Sequence, residues 1–205
     1  MTLEWTLAVV TFAVASCFTP GPNNTMLMAS GLNFGFVRSV PHVLGVTLGF
    51  AVMVLAVALG VSGIFAAFPQ LYTVLKVVSV IYLAWLAWRI AMSSPKLEEN
   101  SGSRPFTFFE AAAFQWVNPK GWVMALGAST TYVVASQALA SVVAISVIFA
   151  VAGLGSSSSW AAGGTALRRI IGKPGLVRAI NIGLALLLLA SLWPTLAEIL
   201  SMSWR

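Results

Sequence analysis

Long apolar runs, separated by short polar segments, make up most of the chain. Runs of about 20 residues are long enough to cross the hydrocarbon core of a bilayer as α-helices. Six such runs are present, at about 5–33, 41–67, 70–93, 107–132, 138–163 and 177–200. The pattern therefore predicts an all-α, polytopic membrane protein with six transmembrane helices. The end of the fifth run is small and polar, which makes it the weakest of the six.

Composition excludes the soluble classes of protein. Of the 205 residues, 59% are hydrophobic and 8% are charged, whereas soluble domains average about 25% charged residues. A soluble enzyme, a nucleic-acid-binding domain and a disordered tail are therefore excluded. The net charge of +6 is concentrated in short segments between the apolar runs. The first five residues lack the basic region of a secretory signal, so we expect the first run to stay as a membrane helix.

Basic residues cluster in alternate connections between the runs. The connections at 68–70 and 136–137 carry no charge. The other connections and their borders carry Arg38, Arg89, Lys96, Arg104, Arg168, Arg169, Lys173 and Arg178. Because basic connections stay on the cytoplasmic side of a membrane, this pattern predicts that both termini are periplasmic.

We interpret the chain as one transmembrane domain, 1–205, made of two halves. Repeat 1 covers about 1–100, repeat 2 covers about 106–205, and a polar cytoplasmic linker at about 94–106 joins them. Three helices in each half place the second half upside down relative to the first. Inverted repeats with broken helices at corresponding positions are typical of transporters, and the breaks mark the binding site. The first and fourth helices are predicted to be broken.

The predicted break in helix 1 is rich in proline, glycine and amide side chains. It comprises Thr19, Pro20, Gly21, Pro22, Asn23 and Asn24. Proline removes a backbone donor, and backbone groups freed inside a bilayer must find partners in protein or in a wet cavity. The break lies about 21 Å along the helix, within the middle half of a bilayer core of about 30 Å. We expect these residues to bind substrate, and a kink that only shapes packing is the alternative.

The predicted break in helix 4 contains a lysine. It comprises Asn118, Pro119, Lys120 and Gly121, and Lys120 lies about 18 Å into the helix. A lysine near the bilayer midplane is unfavourable by at least about 2.5 kcal/mol, so it must face a partner or a cavity. We expect Lys120 to bind a substrate carboxylate, and an internal ion pair with Glu110 is the alternative.

A few other polar residues are weaker candidates. Gln115 and Asn181 are intramembrane amides for which cavity lining and a structural role are equally open. Glu110 and His42 are candidate proton-coupling residues, whose alternatives are a surface carboxylate and a hydrogen-bonded interfacial histidine. One histidine and few carboxylates predict no transition-metal site, and no cofactor is expected.

Five segments give the chain a resemblance to the LysE/RhtB family of bacterial amino-acid exporters. They are Thr19–Asn24, Gly31–Phe36, Gly45–Phe50, Tyr82–Arg89 and Phe114–Lys120. The resemblance implies a small inner-membrane exporter of amino acids or close derivatives, working against protons. The doubled asparagine and the Tyr82–Arg89 segment are most similar to members described as cysteine and O-acetylserine exporters.

Other classes of membrane protein fit the sequence less well. A thiol-disulfide electron carrier needs two cysteines, but Cys17 is alone. An intramembrane hydrolase needs a nucleophile and a base, and the single histidine lies at the membrane edge, so no enzyme activity is expected. A passive channel for small polar solutes stays open, as do the coupling ion and a homodimer.

The predicted mechanism is alternating access about a cavity between the two breaks. The carboxylate of a small zwitterion, of cysteine/O-acetylserine or threonine/homoserine type, would meet Lys120. Its ammonium group would meet oxygens of Asn23, Asn24 and Asn118.

Overall fold

The computed structural model describes residues 1–61, 63, 67–93, 104–171 and 174–202. Helices make up these segments, and no β-strand occurs within them. The helices are α1 Leu3–Phe18, α2 Pro22–Phe34, α3 Phe36–Ala56, α4 Pro69–Met92, α5 Phe108–Phe114, α6 Pro119–Tyr132, α7 Ala138–Ile170, α8 Pro174–Ala190 and α9 Trp193–Met202. The predicted linker at 94–106 lies mostly outside the described residues.

Four helical stretches are long and apolar enough to cross a membrane, and a fifth span is formed by a bent pair. The four are Phe36–Val61, Thr73–Met92, Ala135–Ile170 and Gly175–Ser201. The bent pair is α1 and α2, whose axes differ by 54°. The all-α polytopic class is thus confirmed. The α5–α6 pair does not meet the same test, so six spans in two inverted repeats stay a prediction.

Two predicted helix boundaries are wrong. The second apolar helix begins at Phe36 rather than near residue 41, because Gly35 turns the chain with a φ of +82° and Pro41 is accommodated inside α3. The fifth helix continues to Ile170 rather than ending near residue 163, since its small residues are packed against α2.

Close contact between α2 and α7 explains why the end of the fifth apolar run is rich in small residues. A Cβ atom built on Gly31 would overlap the carbonyl oxygen of Ala161, and one on Gly164 would overlap the carbonyl oxygen of Met28. The two backbones therefore touch at a reciprocal pair of glycines, as small residues allow in membrane helices. The hydroxyl of Thr165 strengthens the contact by donating to the Gly31 carbonyl oxygen, at 3.2 Å.

Corresponding helices of the two halves pack against each other. The second helices, α3 and α7, are in contact, and so are the third helices, α4 and α8. This pairing is compatible with the predicted inverted repeat.

The connections gather at two ends of the bundle. The Trp5 indole donates to the Tyr132 carbonyl oxygen at 2.9 Å, so the N-terminus and the α6–α7 connection share one end. At the other end, Asn181 donates to the Ser93 carbonyl oxygen at 2.9 Å, and Arg168 approaches Gly35. The arginine-rich connections thus lie together, and the side of the membrane that they face stays a prediction.

Candidate functional site

The break between α1 and α2 is held open by side chains that bind its freed carbonyl groups. Helix α1 ends at Phe18, and Thr19 has an extended backbone. The Asn24 amide donates to the carbonyl oxygens of Cys17 and Thr19, at 2.7 and 2.8 Å. The Ser156 hydroxyl, from α7, also donates to the Cys17 carbonyl, at 2.7 Å. The interruption is therefore built into the fold, with protein groups in place of helical hydrogen bonds.

The fourth apolar run is also broken where the sequence predicts. Helix α5 ends at Phe114, a 3₁₀ turn covers Gln115–Val117, and Asn118 has an extended backbone. Pro119 then occupies the first position of α6, where its missing donor removes no helical bond. The Asn118 side chain is therefore placed at the start of a helix inside the bundle.

Side chains from the two breaks bind each other. Asn23 and Gln115 exchange hydrogen bonds through their amides, at 2.8 and 3.2 Å. The Lys120 ammonium donates to the carbonyl oxygen and hydroxyl of Thr19, both at 2.8 Å, and to the carbonyl oxygen of Pro20 at 3.4 Å. A Cβ at Gly21 would lie 2.8 Å from Lys120 Cδ. Glycine thus leaves the space in which the lysine lies across the first break.

Two cavities share this junction, and we call them the small and the large cavity. The small cavity has a volume of about 40 Å³ and is lined by residues that include Cys17, Gly21, Asn23, Asn24, Thr47, Asn118, Lys120, Ser156 and Ser157. The large cavity has a volume of about 430 Å³ and is lined by residues that include Pro20, Gly21, Pro22, Lys76, Ser79, Pro119, Lys120 and Glu198. Gly21 and Lys120 line both cavities, so they lie where the two spaces meet.

Unsatisfied polar atoms border the small cavity. Thr47 Oγ1 and Asn118 Oδ1 are buried and have no hydrogen-bond partner among the described residues. Buried polar atoms are normally paired, so these two indicate a site for a polar molecule. A space of about 40 Å³ holds water but no amino acid in this conformation.

An ion pair between a buried lysine and a half-exposed glutamate lies on the wall of the large cavity. Lys76 of α4 pairs with Glu198 of α9, and their side chains are 4% and 50% exposed. Neither residue is among the candidates predicted from the sequence. The sequence does contain an indication of both residues, because a lysine lies inside the third apolar run and a glutamate inside the sixth. Charges within membrane segments mark functional sites. Their pairing is not visible in the sequence because the two residues are far apart along the chain.

Three predicted site residues lie away from the junction of the two breaks: Asn181, His42 and Glu110. Asn181 exchanges hydrogen bonds with Asn33, at 3.0 and 3.1 Å, and borders neither cavity. His42 is buried against Phe106, with ring centroids 5.2 Å apart, and its nitrogens lack partners among the described residues. Its role in proton coupling stays a prediction.

The Glu110 carboxylate, at the start of α5, already has hydrogen-bond partners. Its carboxylate accepts two hydrogen bonds from Arg104, at 2.6 and 2.8 Å, and it forms a capping box with Thr107. The Glu110 hydrogen bonds raise the pKa of Arg104 above its ordinary value. The alternative pairing of Lys120 with Glu110 is therefore not formed, and proton coupling at Glu110 stays a prediction.

These features define a class of protein and then a family. A helical membrane protein whose two broken helices meet at a lysine, between two cavities, has the architecture of a transporter. The family model described as LysE type translocator matches residues 14–191. The chain belongs to the LysE-type translocator family, which confirms the resemblance found in the sequence and indicates a transporter rather than an enzyme.

Similar curated proteins carry one printed name, cysteine/O-acetylserine efflux protein. The protein of this name from Escherichia coli O139:H28 (strain E24377A / ETEC) is 35% identical over 181 residues, which are 87% of this chain and 91% of the relative. Its counterparts from Escherichia coli (strain K12) and Shigella flexneri serotype 5b (strain 8401) are 36% identical over 180 residues, 87% of this chain and 90% of each relative. No solved structure matches the chain.

Proposed function

We propose that this protein is a secondary active exporter of small amino-acid zwitterions across the bacterial inner membrane, by proton antiport and alternating access. Cysteine and O-acetylserine are the first substrates to consider, because the similar curated proteins are named for their efflux. The observation that carries the proposal is the position of Lys120, at the junction of two cavities and of both broken helices.

The chemistry of the junction suits a zwitterion. The Lys120 ammonium is the natural partner of a substrate carboxylate, and a charge-assisted hydrogen bond would replace one of its bonds to carbonyl oxygens of the first break. The unpartnered Asn118 Oδ1 is an acceptor for the substrate ammonium. Asn23 and Asn24, by contrast, already use their amide groups to bind Gln115 and the carbonyls of the break, so we assign them a positioning role.

Alternating access requires that, in any one conformation, the binding site is open on one side and closed on the other. The unequal sizes of the two cavities fit this requirement. The large cavity falls within the usual range of small-molecule sites, about 300–1,000 Å³, whereas the small cavity admits only water. Transport would enlarge the small cavity and close the large one while Lys120 keeps contact with both. In the predicted orientation the large cavity belongs to the periplasmic half, because Lys76 lies near the start of α4 and Ser93, at its end, contacts the arginine-rich end.

Uptake into everted membrane vesicles tests the function. We expect saturable, gradient-dependent accumulation of at least one of cysteine, O-acetylserine, threonine, homoserine, leucine and lysine, because everted vesicles turn export into uptake. Vesicles from cells lacking the protein are the control. Flux that neither saturates nor responds to the pH gradient would instead indicate a passive channel, and no flux with any of these solutes would contradict the proposal.

Replacing Thr47 with valine tests whether the small cavity holds substrate. Valine has nearly the same shape but no hydroxyl, so the variant would lose one hydrogen bond of about 1 kcal/mol to a bound ligand. We expect about fivefold weaker substrate binding, with a thermal unfolding temperature that is unchanged or raised. Equilibrium binding and thermal unfolding of the purified protein check this.

The matched control for that variant is Thr130→Val. Thr130 is exposed, and its hydroxyl donates to the Leu126 carbonyl oxygen of its own helix. Substrate affinity should be unchanged in this control. Equal affinity in wild type and Thr47→Val would remove Thr47 from the substrate site.

A further inference from the structure

The Lys76–Glu198 pair has features that a structural ion pair does not need. The lysine side chain is nearly fully buried, whereas the glutamate is half exposed, and both line the large cavity. A pair that only anchors α9 to α4 would function equally well away from the cavity. Here the carboxylate is accessible to a solute in the cavity, and its partner is a buried counter-charge.

Among the described residues that line the large cavity, there is a second cation near the Lys76–Glu198 pair but no second carboxylate. Among the described residues, the titratable groups that face Glu198 are Lys76, from α4, and Lys120, from α6 across the cavity. No other charged residue lies on α9 itself. Glu198 is therefore the one anionic side chain among the described residues that line this space, and the one candidate there for binding a cationic group.

We propose that Lys76 and Glu198 form a binding subsite for the zwitterionic head group of the substrate, at which a proton and the substrate ammonium compete for Glu198. This inference rests on the proposed function and names its proton-coupling residue. A zwitterion entering the pair places its carboxylate on Lys76 and its ammonium on Glu198, and it occupies this subsite in the large cavity at a different step of transport from its contact with Lys120 and Asn118. One ion pair becomes two, and the net charge of the subsite is unchanged.

Competition at one carboxylate yields antiport. When a proton adds to a carboxylate oxygen of Glu198, the substrate ammonium loses its counter-ion and the substrate is released. When a substrate ammonium binds, Glu198 must be ionised, so the proton leaves to the solvent on the side that is then accessible. Substrate and proton thus occupy Glu198 in turn and cross the membrane in opposite directions.

The proposal is tested by measuring binding and proton release together. The probe is O-acetyl-L-serine added to purified protein in lipid nanodiscs, in weak buffer with a pH-indicating dye. We expect wild type to bind more weakly as the pH falls, and to release protons on binding over the same pH range in which its affinity falls. The variant Glu198→Gln should bind at least about tenfold more weakly, with no pH dependence and no proton release.

Two further variants separate this role from a structural one. The double variant Lys76→Gln with Glu198→Gln keeps a hydrogen-bonding pair between α4 and α9, so its fold should survive. We expect it to lose proton release and pH dependence as the single variant does, whereas restored wild-type behaviour would overturn the proposal. Glu4→Gln, which removes an exposed carboxylate in the first turn of α1, should behave as wild type.

An analogue of the substrate tests the contact with the ammonium group. With hydrogen in place of the ammonium, the analogue should bind wild type much more weakly than O-acetyl-L-serine, and the two should differ little in Glu198→Gln. The same difference in both proteins would overturn the assignment of Glu198. If wild type neither binds nor transports any of the six amino acids and derivatives named for the vesicle experiment, the proposed function itself fails. If wild type transports and Glu198→Gln keeps its proton release, only this inference fails.

Discussion

Replacement of Lys120 with alanine is expected to reduce transport to the background level while the protein is still made and inserted. The change removes the cation at the junction of the two cavities. It also removes the three hydrogen bonds that the ammonium donates to Thr19 and Pro20. Loss of a charge-assisted contact to a substrate carboxylate weakens binding by at least about tenfold. Uptake into everted vesicles and equilibrium binding measure the two effects.

The control removes a positive charge elsewhere. Arg169 is exposed near the end of α7, at the arginine-rich end of the bundle, so Arg169→Ala should transport at close to the wild-type rate. The variant Lys120→Arg retains the charge with a larger, planar head group, and we expect it to keep part of the activity. A fully active Lys120→Ala variant would exclude the lysine from the substrate site.

Adding one methyl group at Gly164 is expected to have the largest effect on stability. A Cβ atom there would overlap the Met28 carbonyl oxygen and lie 2.8 Å from the Leu32 amide nitrogen, both backbone atoms of α2. Backbone cannot move aside as a side chain does, so Gly164→Ala must push α2 and α7 apart. Overpacking of this kind typically destabilises by about 1–3 kcal/mol. We expect a lower thermal unfolding temperature and less folded protein in the membrane.

The neighbouring glycine provides the control. A Cβ at Gly163 would meet no atom within 4 Å, although it is in the same helix and one position away. Gly163→Ala should therefore unfold at or above the wild-type temperature, because alanine also favours the helix. If the two variants were equally stable, the close contact between α2 and α7 would not contribute to stability.

The sequence predicts what a local pattern can encode. Long apolar runs predict the helices, because a bilayer imposes their length. Prolines next to asparagines predict both breaks, since proline removes a donor wherever it lies in a helix. Glycine in a membrane helix permits close helix contact, and backbone or Cβ atoms of a neighbouring helix lie against Gly31, Gly45 and Gly49. Gly35 instead makes the turn between α2 and α3.

Pairings between distant residues could not be predicted in this way. The sequence places charges at Lys76, Glu110, Lys120 and Glu198 but does not say which will meet. Glu110 lies on the same helical run as Lys120, yet it binds Arg104, whereas Glu198 reaches Lys76 from the last helix. Asn181 is a similar case, since its amide partner Asn33 is 148 positions away. Such partners depend on which helix faces which, and that is a property of the packed bundle.

The exchange of hydrogen bonds between Asn23 and Gln115 bears on whether ions can leak through the protein. These amides tie the start of α2 to the 3₁₀ turn before α6. A displacement of one broken helix therefore pulls on the other or separates the half-buried Asn23 amide from the buried Gln115 amide, and an unpaired buried polar group is unfavourable by about 1–3 kcal/mol. We expect the two breaks to move as one hinge, so that one side closes as the other opens. A cell that expels a metabolite through this protein would then keep its membrane tight to ions between cycles.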